Sequence, residues 1–178
     1  MDRMTKLLES DELRLNALEC VRLLDLPDCY IAAGFVRNLV WDFLHKKALP
    51  TQLNDIDVIY FDPSETNPEQ YQVYESMLRE LNPNLHWQVR NQAFMHLRNN
   101  DNPYTSSLDA MSYWPEKETA IGIRKLNDGR LQCVSAFGID SLFNLHITHN
   151  PKRLRSVFEE RVNSKGWLIT WRNLEVVG

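Results

Sequence analysis

Apolar residues along the chain follow two spacings, and these predict an alternation of helices and strands. Intervals of three and four residues predict helices, whereas short continuous runs rich in β-branched residues predict buried strands. Helices are expected over 11–24, 36–44, 68–81, 140–146 and 153–162, and strands over 29–33, 56–61, 85–97, 120–126 and 131–135. Asn127-Asp128-Gly129 is a favoured hairpin turn between the last two strands. This order predicts an α+β fold with a mixed β-sheet flanked by helices.

Polar residues mark the expected helix starts. Ser10 is expected to cap the first helix, and Asn67 followed by Pro68 is expected to begin the third. The 178 residues contain neither repeats nor a Gly/Ser linker, so 1–178 is interpreted as one domain with the helical segment 1–27 packed on it. The aromatic tail from Trp167 is expected to pack back on this body.

Composition excludes several classes of protein. A net charge of −4 argues against a protein that coats DNA or other nucleic acid. No apolar run is long enough to span a membrane, and the charged N-terminus does not resemble a signal peptide, so a cytoplasmic location is expected. The three cysteines form no CxxC pair, so no thiolate zinc site is predicted.

One segment departs from the overall acidity. Residues 150–172 contain six basic residues against two acidic ones. Such runs are more often solvated helix faces than phosphate-binding patches, and the solvated face is the favoured interpretation here.

The candidate chemistry begins with Asp55 and Asp57 at the start of the second predicted strand. Side chains two residues apart on a strand point to the same face, with Cα atoms about 6.6–7 Å apart. Carboxylates so placed can hold one ion or bridge two, and oxygen ligands favour Mg²⁺ or Mn²⁺ over zinc. The alternative is that the two residues only keep an exposed strand end soluble.

Gly34 supports the first interpretation, because it ends a buried strand and opens a helix. Free N–H groups at a helix start favour phosphate, and glycine lets phosphate approach the backbone closely. Gly34 and Phe35 are therefore expected to bind a nucleotide through backbone N–H groups. Arg37, in the first turn, is expected either to reach a phosphate or to pair with Asp55 or Asp57. An ordinary strand–helix turn is the alternative for Gly34.

Residues 33–38 and 54–58 together resemble a known motif. The motif is Gly-Gly-x-Val-Arg-Asp followed by Asp-hydrophobic-Asp on the next strand, found in the head domain of tRNA CCA-adding enzymes and poly(A) polymerases. The resemblance extends from about Tyr30 to Trp171 for an uncharacterised bacterial family of nucleotidyltransferase-like proteins of this length. It implies a polymerase β-type nucleotidyltransferase fold, an NTP substrate, and Mg²⁺ held by Asp55 and Asp57.

Departures from that motif leave the third carboxylate of the family unassigned. Ala33 and Asn38 replace a glycine and an aspartate, and the strand expected over 85–97 contains no acidic residue. Asp109 is the predicted catalytic stand-in, expected within about 8 Å of the Asp55/Asp57 pair, with Glu116 and Glu118 behind it. Alternatively, Asp109 caps the helix that contains Ala110.

Asn91 is predicted as a further nucleotide-binding residue, because polar side chains on the third strand can face a ligand. An edge strand with a wet face is the alternative.

The predicted function is metal-assisted transfer of a nucleoside monophosphate from an NTP to an acceptor. The acceptor is left open among a small molecule, a protein and RNA, and no membrane partner is expected. The alternative functions are a weak or inactive nucleotide-binding member of the same fold and, last, a purely structural interaction domain.

Overall fold

A computed structural model describes residues 2–178; Met1, the first residue of the predicted helical segment 1–27, lies outside the described residues. The helices are α1 Asp2–Glu9, α2 Glu12–Arg22, α3 Gly34–Leu44, α4 Gln70–Leu81, α5 Met95–Asn99, α6 Ser107–Met111, α7 Asp140–Phe143, α8 Arg155–Ser164 and α9 Trp167–Thr170. The strands are β1 Tyr30–Ala32, β2 Ile56–Tyr60, β3 Trp87–Asn91, β4 Ile121–Lys125, β5 Leu131–Ser135, β6 His146–Thr148 and β7 Glu175–Val177.

Five strands form one mixed sheet in the order β3-β2-β1-β4-β5. β2 and β3 run parallel and are connected through α4, whereas the other neighbours run antiparallel. β6 and β7 form a separate parallel pair. The mixed sheet flanked by helices confirms the predicted α+β class, and the β4–β5 hairpin confirms the predicted turn.

The two faces of the sheet differ because successive residues of a strand point to opposite sides. Ile31 pairs with Val58 on the face covered by the main hydrophobic core, to which α2, α3 and α4 contribute. Tyr30 pairs with Ile59 on the opposite face, which a smaller cluster that includes a residue of α6 covers. Asp57 precedes Ile59 by two residues and therefore belongs to this second face.

The N-terminal helices contribute to the main core through Met4 and Leu8, which are fully buried. The predicted cap of the first long helix is wrong by one residue. Asp11, and not Ser10, accepts the hydrogen bond from Arg14 N at 2.9 Å. Ser10 instead donates to a carbonyl of α1, because it belongs to the end of that helix.

The C-terminal tail packs back on the body, as expected. The rings of Trp167 and Trp171 lie edge-on to Trp41 of α3, with centroids 6.0 and 5.1 Å apart. All three rings are buried. The tail thereby covers one side of α3 close to the beginning of that helix.

The third strand is much shorter than the prediction of 85–97. It ends at Asn91, whose side-chain oxygen accepts a hydrogen bond from Ala93 N at 3.0 Å. This bond caps a 3-10 turn, Gln92–Phe94, that leads directly into α5. A polar residue able to cap a helix thus ended the strand inside an apolar run.

Two other helix boundaries differ from those predicted from the sequence. α4 begins at Gln70 and not at Pro68, because Asn67 accepts from Glu69 N at 3.1 Å and forms a turn before the helix. The helix expected over 140–146 ends at Phe143, and β6 begins at His146. Among residues 2–178, none of the helices combines the length and apolar character needed to cross a lipid bilayer.

Candidate functional site

A cleft of about 470 Å³ opens between the start of α3, the segment that leads into β2, and the C-terminal part of α8 with α9. Its volume is within the usual range for small-molecule sites. Of the residues predicted from the sequence, it brings together Gly34, Arg37, Asp55 and Asp57. A single cavity therefore joins the glycine-opened helix and the paired carboxylates.

The two carboxylates lie at the beginning of the central strand β2, Asp55 just before it and Asp57 within it. Gln88 stands beside Asp57 on the parallel strand β3, and its side-chain amide donates to Asp55 Oδ2 at 3.2 Å. Burial and, second, the negative charge of Asp55 raise the pKa of Asp57 from about 3.8 to about 6. The charges of Arg37, Lys165 and Arg161 act in the opposite direction.

This pair fits a divalent cation through its oxygen-only ligands and mutual repulsion. A cation between the carboxylates would offset both the burial and the repulsion by Asp55 that raise the pKa of Asp57. Groups of three or more acidic, histidine or cysteine side chains at metal-binding spacing do not occur within residues 2–178. Any ion here would therefore depend on Asp55, Asp57 and oxygens of a ligand.

Arg37 is the cation closest in sequence to the glycine turn, and it is only 7% exposed. Its Nη2 donates to Asn38 Oδ1 at 3.0 Å, whereas its Nε has no partner among the described residues. The guanidinium lies over the ring of Trp167, 4.5 Å from the centroid. Burial lowers the pKa of Arg37 to about 10, against the opposing effect of Glu116.

Arg37 thus lines the cleft, and its side chain retains a buried donor without a partner among the described residues. Within residues 2–178 it makes no ion pair closer than 4.0 Å with Asp55 or Asp57, the structural partners considered from the sequence. A buried cation with an unsatisfied N–H is costly without an anionic ligand. Of its two predicted roles, phosphate binding fits the geometry better.

The start of α3 presents backbone N–H groups to the cleft. Ala33 O accepts from Val36 N at 3.2 Å and from Arg37 N at 3.0 Å, whereas the N–H groups of Gly34 and Phe35 have no acceptor within the helix. A Cβ built on Gly34 would meet no heavy atom closer than 3.5 Å. Because the fold itself leaves room for a methyl group, packing does not explain the glycine.

Phe35 can contribute only through its backbone. Its side chain is 1% exposed and belongs to the main core. Its carbonyl accepts a hydrogen bond from the buried Arg14 at 2.8 Å, which fixes the first turn of α3 from behind. The prediction that Phe35 binds nucleotide therefore stays a prediction about its N–H group.

The opposite wall is basic and aromatic, formed by Arg161, Lys165, Trp167 and Trp171. Two residues of the basic segment 150–172 line the cleft, where Lys165 is exposed as expected of a solvated face and Arg161 is half-buried. Glu116 is 1% exposed and holds Arg161 through bonds of 2.5 and 3.2 Å. Sequence reasoning missed this anchor as well as Gln88.

Asp42 joins this wall to the segment before Asp55. Its carboxylate accepts from Thr51 N and Thr51 Oγ1, both at 2.6 Å, and from Trp171 Nε1 at 2.7 Å. The side chain is nearly buried, so these three donors, together with Lys47 Nζ at 3.6 Å, satisfy a charge that water reaches poorly. Asp42 therefore ties the segment around Thr51 to Trp171, the residue that follows α9.

Three predicted residues are not among the described residues that line the cleft: Phe35, whose backbone was considered above, Asp109 and Asn91. Asp109 accepts from Thr105 N at 2.9 Å and Oγ1 at 3.2 Å, while its own N–H donates to the capping residue Ser106. This is the helix-capping alternative, and Asp109 is not among the described residues that line the cleft. Asn91 is engaged with Asp62 backbone atoms at 3.1 and 2.8 Å and lines a different pocket.

This arrangement defines a class of protein: a polymerase β-like nucleotidyltransferase domain, with paired aspartates facing a helix that a glycine opens. Comparison with known proteins agrees. A family model described as Nucleotidyltransferase matches residues 19–176, and the chain belongs to that family.

Solved structures support the same fold. One, described as an NMR structure that reveals a CCA-adding enzyme head domain, is 31% identical over 99% of this chain and 95% of that one, with a TM-score of 0.86. Another, the structure of a tRNA-processing enzyme complex, is 15% identical over 91% of this chain and 43% of that chain, with a TM-score of 0.52, and shows the fold alone. A search of curated proteins finds no significant match.

Proposed function

We propose that the cleft binds a nucleoside triphosphate with Mg²⁺ or Mn²⁺ and transfers its nucleoside monophosphate to an acceptor, releasing pyrophosphate. The observation that carries this proposal is Arg37, whose buried guanidinium lines the same cavity as two carboxylates and is not fully hydrogen-bonded by the described residues. A ligand that is itself anionic, and that brings a cation for the carboxylates, would offset the charges of both groups. A metal-bound triphosphate has this chemistry.

Each residue then has a distinct part. The N–H groups of Gly34 and Phe35 donate to phosphate oxygens, and Arg37 neutralises and orients the phosphate chain. Asp55 and Asp57 would hold the divalent ion, which would supply neutralisation of the triphosphate charge and Lewis-acid polarisation. Catalysis of this type is mainly positioning and charge stabilisation, which a preformed cleft supplies.

The metal site can be tested with a paramagnetic ion. Added Mn²⁺ should broaden the backbone NMR signals of Gly34, Asp55 and Asp57 before others, and the double variant Asp55→Asn/Asp57→Asn should lose this local broadening. Asp62→Asn is the matched control, since Asp62 follows the other end of β2 and binds Ser64. Early broadening around the histidines would contradict the assignment.

The test of the nucleotide site is the affinity for ATP and other NTPs, measured by calorimetry with and without Mg²⁺. Binding should be tighter with metal, because the bare acidic pair repels a triphosphate. Arg37→Met should weaken binding at least about 10-fold, equivalent to about 1.4 kcal/mol, without lowering the melting temperature, since an apolar side chain can replace a buried unpaired cation. A lower melting temperature with unchanged affinity would instead assign Arg37 a structural role.

One observation favours a second candidate, a nucleotide-binding protein without transfer activity. Among the described residues that line the cleft, only Asp55 and Asp57 are acidic, and Asp109 instead binds Thr105 just before α6. Pyrophosphate release during incubation with an NTP and pooled acceptors separates the two candidates. Tight metal-dependent binding with no release above the Asp55→Asn/Asp57→Asn background would support the binder.

A further inference from the structure

Gln88 lies beside the acidic pair, and the parallel pairing of β2 and β3 explains its position. Gln88 is the register partner of Asp57 on β3. Register partners on neighbouring strands, about 4.8 Å apart, project their side chains to the same face of a sheet. Asp55 precedes Asp57 by two residues and faces the same side. Asp55, Asp57 and Gln88 therefore present three oxygen-bearing side chains to one part of the cleft.

The chemistry of the contact between Gln88 and Asp55 fixes which end of the amide faces the carboxylate. An ionised carboxylate only accepts hydrogen bonds, so the amide nitrogen, Nε2, is the atom that approaches Asp55 Oδ2, at 3.2 Å. The amide oxygen, Oε1, accepts no hydrogen bond from residues 2–178. Gln88 thus holds Asp55 through its nitrogen and retains a free acceptor.

The core does not depend on this amide. Gln88 is exposed, and β3 is an edge strand of the mixed sheet. The packing of β3 comes from Trp87 and Val89, which are buried in the main core on the other face. The amide is therefore open to a ligand, and a substitution at position 88 tests binding without disturbing the core.

Acceptors outnumber donors around the acidic pair, which is the condition that a cation satisfies. Like Gln88 Oε1, the carboxylate of Asp57 accepts no hydrogen bond from residues 2–178. The potential ligands considered above were limited to acidic, histidine and cysteine side chains. Amide oxygens also bind hard divalent cations, so Gln88 adds an oxygen to that set.

We propose that Gln88 is the third side-chain ligand of the divalent ion: its amide oxygen binds the ion, while its amide nitrogen positions Asp55. This inference rests on the proposed function and adds a residue to the same site. The negative charge of the three side chains is that of Asp55 and Asp57 alone, because an amide is neutral. The protein therefore holds the free ion less tightly than three carboxylates would, and the ion binds mainly together with the triphosphate, whose oxygens complete its ligands.

Gln88→Glu separates the possible roles of this residue by the sign of its effect. Glutamate keeps the length of the side chain and its oxygen, adds a negative charge and loses the donor to Asp55. If the oxygen binds the ion, the variant should bind Mn²⁺ at least about 10-fold more tightly than the wild type, measured by EPR of the free ion. Weaker binding would mean that Gln88 acts only through Asp55, and equal binding that it has no part in the site; either result overturns the proposal.

Gln52→Glu is the matched control, because Gln52 is another exposed glutamine of the cleft but lies in the segment before β2. The added charge is screened by solvent there and should change the affinity for Mn²⁺ less than about threefold. Gln88→Met, which has neither the oxygen nor the donor, should weaken Mn²⁺ at least about 10-fold. Equal gains for the two glutamate variants would assign the effect to charge and overturn the proposal.

Thermal unfolding gives a second readout that does not depend on turnover. In EDTA, Gln88→Glu should unfold at a lower temperature than the wild type, because a third carboxylate joins two that already repel each other. Mn²⁺ should then raise the melting temperature of the variant more than that of the wild type, since tighter binding to the folded state stabilises it more. A larger rise for the wild type would overturn the proposal.

Nucleotide dependence is tested with α,β-methylene ATP, which cannot transfer its nucleoside monophosphate. The wild type should bind Mn²⁺ at least about 10-fold more tightly with this analogue than without it, and the increase should be smaller for Gln88→Glu; an equal or larger increase would overturn the proposal. If the wild type binds Mn²⁺ no better than Asp55→Asn/Asp57→Asn does, the proposed function fails, and this inference fails with it. If that double variant loses Mn²⁺ while Gln88→Glu gains nothing, only the role of Gln88 fails.

Discussion

Ala33 has a backbone conformation that favours glycine, and Ala33→Gly is expected to stabilise the protein. Its φ of 54° and ψ of −122° lie in a region that residues with a Cβ rarely adopt. The conformation is imposed from both sides. Ala33 N donates to Ile121 O at 3.1 Å, and Ala33 O accepts from Arg37 N at 3.0 Å, so the residue closes β1 and opens α3 at once.

The expected change in the free energy of unfolding is the balance of three contributions: backbone strain, chain entropy and methyl burial. Strain of this kind costs about 1–3 kcal/mol, whereas glycine loses about 0.5–1 kcal/mol through the entropy of the unfolded chain. The methyl group is half-buried, so its removal adds a fraction of about 0.8 kcal/mol. The net expectation is a gain of about 1 kcal/mol in the free energy of unfolding, which raises the melting temperature by about 2–4 °C for a domain of this size.

The assay is urea and thermal unfolding of Ala33→Gly beside Ala32→Gly. Ala32 is fully buried in β1, so its replacement should lose about 1–2 kcal/mol from methyl burial and chain entropy. The entropy of the added glycine is common to both variants and cancels in their difference, expected at about 2–3 kcal/mol. If Ala33→Gly destabilises the protein as much as Ala32→Gly does, the backbone at position 33 is not strained.

Three further predictions concern the cleft. Gly34→Ala should leave the free energy of unfolding unchanged or raised by up to about 1 kcal/mol, while NTP affinity measured by calorimetry falls at least about 10-fold, because the new methyl group blocks the N–H groups; unchanged affinity would refute the phosphate role of this turn. Asp57→Asn in EDTA should stabilise the protein at pH 7 by about 1–3 kcal/mol and very little at pH 4, as measured by urea unfolding. The reason is that the folded-state pKa of Asp57, near 6, exceeds the usual 3.8. The folded state therefore binds more protons than the unfolded state between these values, and wild-type stability falls as pH rises through this window. A wild-type stability that rises over the same window would contradict the sign. Trp171→Phe should cost more than Trp87→Phe in unfolding free energy, about 1.5–3 against 0.5–1.5 kcal/mol, because Trp171 donates to the carboxylate of Asp42 and Trp87 to a neutral carbonyl; equal losses would mean that the charge of Asp42 is satisfied without α9.

The half of the cleft formed by residues close in sequence could be predicted from the sequence. Asp55 and Asp57 share a face because side chains alternate along a strand, whatever the rest of the fold does. Gly34 and Arg37 lie within one helical turn. Local geometry therefore carried these assignments, and the cleft brings all four residues together.

The other half depends on contacts between distant segments, which no local pattern specifies. Gln88 reaches Asp55 only because β3 joins β2 in parallel with one particular register. Arg161 and Lys165 did carry a signal, since they share a helix face, but the sequence does not show which surface that face meets. The positive charge of this segment could therefore be predicted from the sequence, whereas its position in the cleft could not.

Asp109 and Asn91 were misjudged for a local reason that the sequence does contain. Ser106 precedes Asp109 by three residues, a spacing typical of a helix start at which both side chains serve the backbone. Asn91 closes an apolar run and likewise turns its oxygen to a nearby N–H. At both positions the prediction gave more weight to a functional role than to hydrogen bonding between the side chain and a nearby backbone N–H group. The contacts found are of the second kind.

The bond from Trp171 to Asp42 also bears on the order in which the molecule is made. A chain leaving the ribosome presents Asp42, Thr51 and the acidic pair long before Arg161 and Trp171 have been synthesised. N-terminal parts generally fold first during synthesis, so the nascent domain has two neighbouring negative charges without the basic wall that offsets them. The proposed nucleotide site would then be completed late in biosynthesis, once Trp171 reaches Asp42, and a ribosome-stalled chain that ends before residue 161 should not be retained on immobilised ATP.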